Sequence, residues 1–231
     1  MSAPISKTVS IAVDDQTRVS GLLQAPPRPR ACYVLAHGAG AGMNHSFMAA
    51  VAEGLASRGV ATLRYQFPYM EQGRKRPDAP PLAHATVRAA AAEANRMLPN
   101  VPLFAGGKSF GGRMTSQSQA QTALAHVRGL AFLGFPLHPA GRPAQDRAKH
   151  LFDVNVPMLF LQGTRDALAE LDQLKPVCQA LGRRATLELF EAADHSFHVP
   201  ARSGRKDAQV FGEMLDLLVG WIDRIVSRPA Q

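Results

Sequence analysis

Residues 101–114, "VPLFAGGKSFGGRM", can be read in two incompatible ways, and the choice between them decides the fold. Read around Gly107-Lys108-Ser109, the stretch is the end of a phosphate-binding loop, with Lys108 reaching phosphate oxygens and Ser109 holding magnesium. Read as G-x-S-x-G, it puts Ser109 on a sharp turn between a strand and a helix. Spacing excludes the first reading. The glycine required five positions before the Gly-Lys pair falls on Pro102, and a loop of that length would begin inside the apolar run Val101 to Ala105, which has the length and bounds of a buried strand. The second reading fits its surroundings, because the strand ends at two glycines and Gly111 and Gly112 open a helix after the serine. A nucleophile on such a turn has strained backbone angles, and Gly107 and Gly111 let strand and helix approach without Cβ clashes. The alternative is a glycine-rich turn whose serine only caps the helix.

On either side of this turn the chain alternates between strand-like and helix-like segments. "ISKTVSIAV" sets Ile5, Val9, Ile11 and Val13 on one face, and after "DDQT" the segment "RVSGLLQA" runs back as an antiparallel partner. "ACYVLAH" is a continuously apolar strand, followed by Phe47, Val51 and Leu55 at helical spacing; "VATLRY" is the next strand. A long loop from Gln66 to Pro81 leads to an Ala-rich helix carrying Val87, Ala90, Ala94 and Met97 on one side. Beyond Ser109 come the strands "RGLAFLG", "VPMLFLQG" and "ATLELF", a helix near Glu170 to Leu181, and a terminal amphipathic helix with Phe211, Leu215, Leu218, Trp221, Ile222 and Ile225 on its apolar face. This alternation implies an α/β fold in one domain over 1–231: a mainly parallel sheet covered by helices on both faces, opened by an antiparallel hairpin. Ligand sites in such sheets lie at the carboxyl ends of the strands, where Ser109 falls.

A serine hydroxyl is a weak nucleophile unless a base, an orienting acid and an oxyanion site assist it. "LFLQGTRD" delivers Asp166 just past a strand end, and "LELFEAADHSF" delivers His195 past the last strand. Glu170 and Asp172 are rival acids, and Asp166 could instead cap the nearby helix. His198 is the nearest rival base, with His37, His45, His84, His126, His138 and His150 elsewhere; Asp194 is expected to shape the turn around His195. The backbone N–H of Phe110, at the positive end of the helix it opens, and that of Ala39 in "HGAGAG" are the expected oxyanion donors, with His37 shaping that loop.

The segments "AHGAGAGMNHSFM", "FPYMEQGRKRPD", "GGKSFGGRM", "GFPLHPAGRP", "LQGTRD" and "ADHSF" resemble the α/β-hydrolase superfamily, close to dienelactone hydrolases. The chain looks most like the hydrolase-like branch related to a testis-expressed protein and to a subunit of the NSL complex, a nuclear histone-acetylating assembly. The likeness spans nearly the whole chain, and the order Ser, Asp, His is the one that architecture uses. Typical dienelactone hydrolases carry cysteine at the nucleophile position, whereas serine here implies acyl transfer to water. The expected activity is hydrolysis of a carboxylic ester or thioester of a small molecule through an acyl-enzyme on Ser109; alternatives are a catalytically weak interaction module or a peptidase. No metal or organic cofactor is implied. Phe67, Tyr69, Met70, Leu137 and His138 are expected to line the substrate site; Arg74 and Arg76 either face an anionic leaving portion or are solvated and neutral to catalysis. The loop "FPLHPAGRPAQDRAKHLFDV" is too polar and Pro-rich for a helical cap, so the expectation is an open, shallow acyl pocket with a modest preference for short acyl groups.

Composition narrows the class. With 231 residues, 46% of them hydrophobic, the chain can bury a substantial core. No apolar run reaches 18 residues and no signal-like start precedes Pro26, so the expectation is a cytoplasmic protein without a membrane span. Cys32 and Cys178 lack metal-type spacing and read as ordinary thiols. The 26 Lys and Arg residues exceed 18 Asp and Glu, but the tightest cluster, Arg74-Lys75-Arg76, sits in a Pro- and Gly-containing loop without interleaved aromatics. The charge is therefore read as solvated surface, and no nucleic-acid partner is expected.

Overall fold

The structure, a computed structural model, describes residues 5–227. Its eight strands are β1 (Ile5–Ala12), β2 (Arg18–Ala25), β3 (Ala31–Ala36), β4 (Val60–Tyr65), β5 (Leu103–Lys108), β6 (Val127–Leu133), β7 (Met158–Gly163) and β8 (Ala185–Phe190). They form one sheet in the order β1-β2-β4-β3-β5-β6-β7-β8. The opening hairpin is antiparallel from Ile5↔Ala25 to Ala12↔Arg18, its turn closed by Asp14 Oδ1 accepting the Gln16 and Thr17 N–H groups at 2.9 and 2.7 Å. β2 joins β4 antiparallel, and every pairing from β4 to β8 is parallel. β1 is an edge strand; Ile11 is buried, but Ile5, assigned to the same apolar face, is 62% exposed.

Six helices are α1 (Ser46–Ser57), α2 (Pro68–Glu71), α3 (Pro80–Met97), α4 (Phe110–Gln121), α5 (Leu171–Leu181) and α6 (Asp207–Val226). Parallel strands need crossovers, and the helices that supply them cover both sheet faces, so the strands read as apolar throughout: β3, β4 and β7 are buried at every residue. Alternation along β5 sends Leu103 and Ala105 into the core layer shared with α3, α4 and α5, and Phe104 into the layer shared with α1 and α6. In that second layer the Trp221 ring lies 5.6 Å from Phe104. Gly129 makes room for it, since a Cβ there would come within 2.6 Å of Trp221 Cη2. α6 carries its apolar residues at helical spacing, burying Val210, Met214, Leu218 and Ile222.

The segment after β6 is more ordered than a plain loop. It forms a 3₁₀ helix at Asp146–Asp153 that docks on α4, burying Ala148 and Leu151 and setting His150 Nε2 2.8 Å from Ser116 Oγ. It adds no cap domain. Cys32 and Cys178 are buried free thiols, and among the described residues no helix is long and apolar enough to cross a membrane.

Candidate active site

Ser109 joins β5 to α4 with φ 51° and ψ −116°, a left-handed conformation that costs a non-glycine residue of order 1–3 kcal/mol and persists only where its surroundings over-determine it. The surroundings do so by close approach. A Cβ on Gly107 would lie 2.1 Å from the Ala36 carbonyl oxygen, and one on Gly111 would lie 2.5 Å from that of His37. The Phe110 N–H opens α4 and has no carbonyl one turn back to accept it. Ala39 follows β3 in the neighbouring loop, and a Cβ on Gly38 would lie 3.9 Å from Ser109 Cβ, so this loop runs beside the serine.

His37, fully buried, braces the same loop. Its Nδ1 lies 2.7 Å from the Gly38 carbonyl and its Nε2 accepts the Phe67 N–H at 3.0 Å, an arrangement that fixes the tautomer as Nδ1–H. Burial lowers its pKa, consistent with a neutral ring. The Tyr69 hydroxyl donates to the Ala39 carbonyl at 2.9 Å. Phe67 and Tyr69 therefore stand behind the loop, buried and packed on Phe110, instead of facing a ligand.

Past β7, Asp166 is 3% exposed. Its Oδ1 accepts the Leu168 N–H at 2.8 Å; its Oδ2 accepts from the Gln162 amide and lies 2.6 Å from His195 Nδ1. The rivals Glu170 and Asp172 are exposed at the start of α5. His195 sits in the β8–α6 loop, which carries two non-glycine residues at positive φ, Ala192 (61°) and Phe197 (65°). Asp194 shapes this loop by accepting the Ser196 and His198 N–H groups at 2.7 and 3.0 Å. His198 is exposed and pairs with Asp207 at 2.8 Å, which raises its pKa and ties the loop to the first turn of α6.

Ser109, His195 and Ala39 line one cavity of about 780 Å³. Its walls come from the α1/α6 side: Phe47 and Met48, Ala208 and Phe211, with Phe197 from the His195 loop and Leu168 from the Asp166 loop. The Phe47 ring is 6.2 Å from Phe197, nearly parallel, and 5.9 Å from Phe211, edge-on. None of Phe67, Tyr69, Met70, Leu137 and His138 lines it. Leu137 is core, Met70 packs partly buried against that core, and His138 accepts the Glu170 N–H at 3.1 Å, bracing the Asp166 loop from below. Arg74 bonds Asp78 at 2.7 Å, so its charge is paired.

Lys108 also lines the cavity, pointing, like Phe104, into the α1/α6 layer. Its ammonium donates to the His195 backbone carbonyl and lies 5.3 and 5.8 Å from the centres of the Phe197 and Phe47 rings. Burial lowers its pKa to about 8, opposed by the carboxylates of Asp166 and Asp194. Sequence reasoning passed over Phe47, Phe197, Phe211 and Lys108 as site residues. Phe47 and Phe211 open the apolar faces of their helices at the sheet's carboxyl end, which was the available signal. Among the described residues no cluster of three or more His, Cys, Asp or Glu side chains is set to hold a metal ion.

Solved structures share this architecture. A dienelactone hydrolase from Anabaena variabilis superposes with a TM-score of 0.78 at 19% identity, covering 97% of this chain and 99% of that one. A serine hydrolase without a lid from Xanthomonas campestris gives 0.74 at 19%, covering 97% of each. The esterase domain of a Rhodothermus marinus protein gives 0.70 at 18%, covering 96% of this chain and all of the other. Residues 29–223 match the alpha/beta hydrolase domain family, and with the strained serine turn at the end of β5 and the sheet order around it, they make this chain a member of that family.

Proposed function

We propose that the protein is a serine hydrolase cleaving a carboxylic ester or thioester of a small molecule through an acyl-enzyme on Ser109. The observation that carries this reading is the 2.6 Å contact between Asp166 Oδ2 and His195 Nδ1 at the wall of the cavity that Ser109 also lines. With Nδ1–H donating to the carboxylate, Nε2 is the basic nitrogen of His195. It takes the Ser109 proton as Oγ bonds to the carbonyl carbon. The negative charge on the carbonyl oxygen is met by the Ala39 and Phe110 N–H groups, and the imidazolium by Asp166. Collapse breaks the bond to the alcohol or thiol, which leaves with the proton from His195. Water, deprotonated by His195, then attacks the acyl carbon and releases the acid and free Ser109.

The cavity's aromatic and aliphatic walls favour a substrate with an apolar acyl or alcohol portion, since each methylene buried there contributes about 0.8 kcal/mol. A single domain acting in the cytoplasm goes with this reading, supported by two unpaired buried thiols. The motifs shared with the testis-expressed and NSL-subunit branch support a place beside it.

The test is covalent labelling with a fluorophosphonate probe, together with hydrolysis of nitrophenyl acetate. The wild type is expected to label on Ser109, and Ser109→Ala to lose labelling and esterase activity while keeping its fold. Full esterase activity in the Ala variant would overturn the mechanism.

A further inference from the structure

We infer that Lys108 is a positioning residue that holds the catalytic base in register with the nucleophile, and that it does so only while it carries its proton. The inference rests on the proposed roles of Ser109 and His195. It begins with connectivity: Lys108 is bonded covalently to Ser109, and through its ammonium it is hydrogen-bonded to the backbone of His195, which lies 87 residues away in the chain. One side chain thus ties the serine turn to the loop that carries the base. That loop needs tying, because Ala192 and Phe197 flank His195 at positive φ, a conformation held only by its contacts.

The bond to the His195 carbonyl depends on charge. An ammonium donor makes a hydrogen bond roughly twice as strong as a neutral one, and the attraction to the Phe47 and Phe197 rings exists only for the cation. Phe197 belongs to the same loop as His195, so both contacts loosen together when the proton leaves. The groups that face the ammonium are Asp166 from the β7–α5 loop and Asp194 and His195 from the β8–α6 loop; His45, His198 and Asp207 lie farther along the cavity wall. Burial against these rings lowers the pKa of Lys108 to about 8, close enough to neutrality for the contact to be lost under ordinary assay conditions.

The consequence is an alkaline fall in turnover that belongs to Lys108. The experiment compares wild type, Lys108→Met and Lys108→Arg across pH 6.5–10, reading fluorophosphonate labelling rate, kcat and KM for nitrophenyl acetate, and the ring resonances of His195 by NMR. Lys108→Met is expected to lower kcat by about 10- to 100-fold with KM little changed, the scale of a misplaced reacting group, and to lose the fall above pH 8. Lys108→Arg, whose charge persists throughout, is expected to recover part of kcat and to move the fall to higher pH. In the wild type the His195 resonances should show an inflection near pH 8 that both variants lack. That inflection in a protein that neither labels nor hydrolyses esters would sink the hydrolase reading and leave the Lys108 link standing. Wild-type kcat in Lys108→Met, or an inflection near pH 8 surviving in the variants, overturns the link itself.

Discussion

Holding Lys108 charged inside an aromatic layer destabilises the fold, and the size of that effect can be worked out. The amine titrates at about 8 in the folded chain against 10.5 unfolded, a difference set first by desolvation. Below pH 8 both states hold the proton, and the folded state bears the full cost of the buried charge. Between 8 and 10.5 only the unfolded state holds it, so stability rises with pH by up to about 1.4 kcal/mol per pH unit, about 3 kcal/mol across the window. Lys108→Met removes this dependence. Urea unfolding followed by circular dichroism at a series of pH values from 7 to 10.5 isolates it, because other alkaline groups, including Cys32, pushed up to about 12, and the buried Tyr33 and Tyr65, are common to both proteins. The expected result is that wild-type stability minus variant stability climbs through this window while wild-type turnover falls. A difference that stays flat from pH 7 to 10.5 would refute the buried charge, and with it the reason for the pH-sensitive tie.

Three further outcomes follow from the site and its scaffold. Asp166→Asn is expected to cut turnover by up to ~10⁴-fold through loss of the productive imidazole tautomer, whereas Asp172→Asn, an exposed change, leaves steady-state rates near wild type. Gly107→Ala drives a methyl to within 2.1 Å of the Ala36 carbonyl, and the chain should fail to fold or melt far below wild type in a thermal scan; a normal melting curve would contradict the packing of β5 against β3. In a nitrophenyl ester series, Phe47→Ala and Phe211→Ala should lower kcat/KM more as the acyl or alkyl chain lengthens, and a uniform loss at every length would move the apolar portion elsewhere.

The sheet was legible because parallel strands buried on both faces leave continuous apolar runs, and the serine turn because its glycines are demanded by backbone approach. That Asp166 and His195 meet was legible because each falls just past a strand end, and the parallel strands return such ends to one rim. The cavity wall was not. Phe47, Phe197 and Phe211 come from three separate segments, and only the packing of α1 against α6 decides that they meet beside Ser109. Phe67, Tyr69, Leu137 and His138 also follow strand ends, yet they turn inward, where a ring or an imidazole can brace a loop by hydrogen bonds to backbone that no sequence pattern announces. Around Lys108 the local sequence resembles the end of a phosphate loop, which Pro102 excludes. The contact of Lys108 with His195 joins residues too distant in the chain for spacing to reveal.

Trp221 is the chain's sole tryptophan, and it lies in the layer that builds the cavity, stacked edge-on near Phe104 over the space left by Gly129. Intrinsic fluorescence of this protein is therefore a local instrument. It reports the seating of α6 on β5 and β6, and α6 is the helix whose first turn anchors the His198 end of the His195 loop. An emission change without loss of helical signal would locate a loosening on that face of the sheet, at the amino ends of β5 and β6 and the far end of α6 from the cavity, before the rest of the sheet gives way.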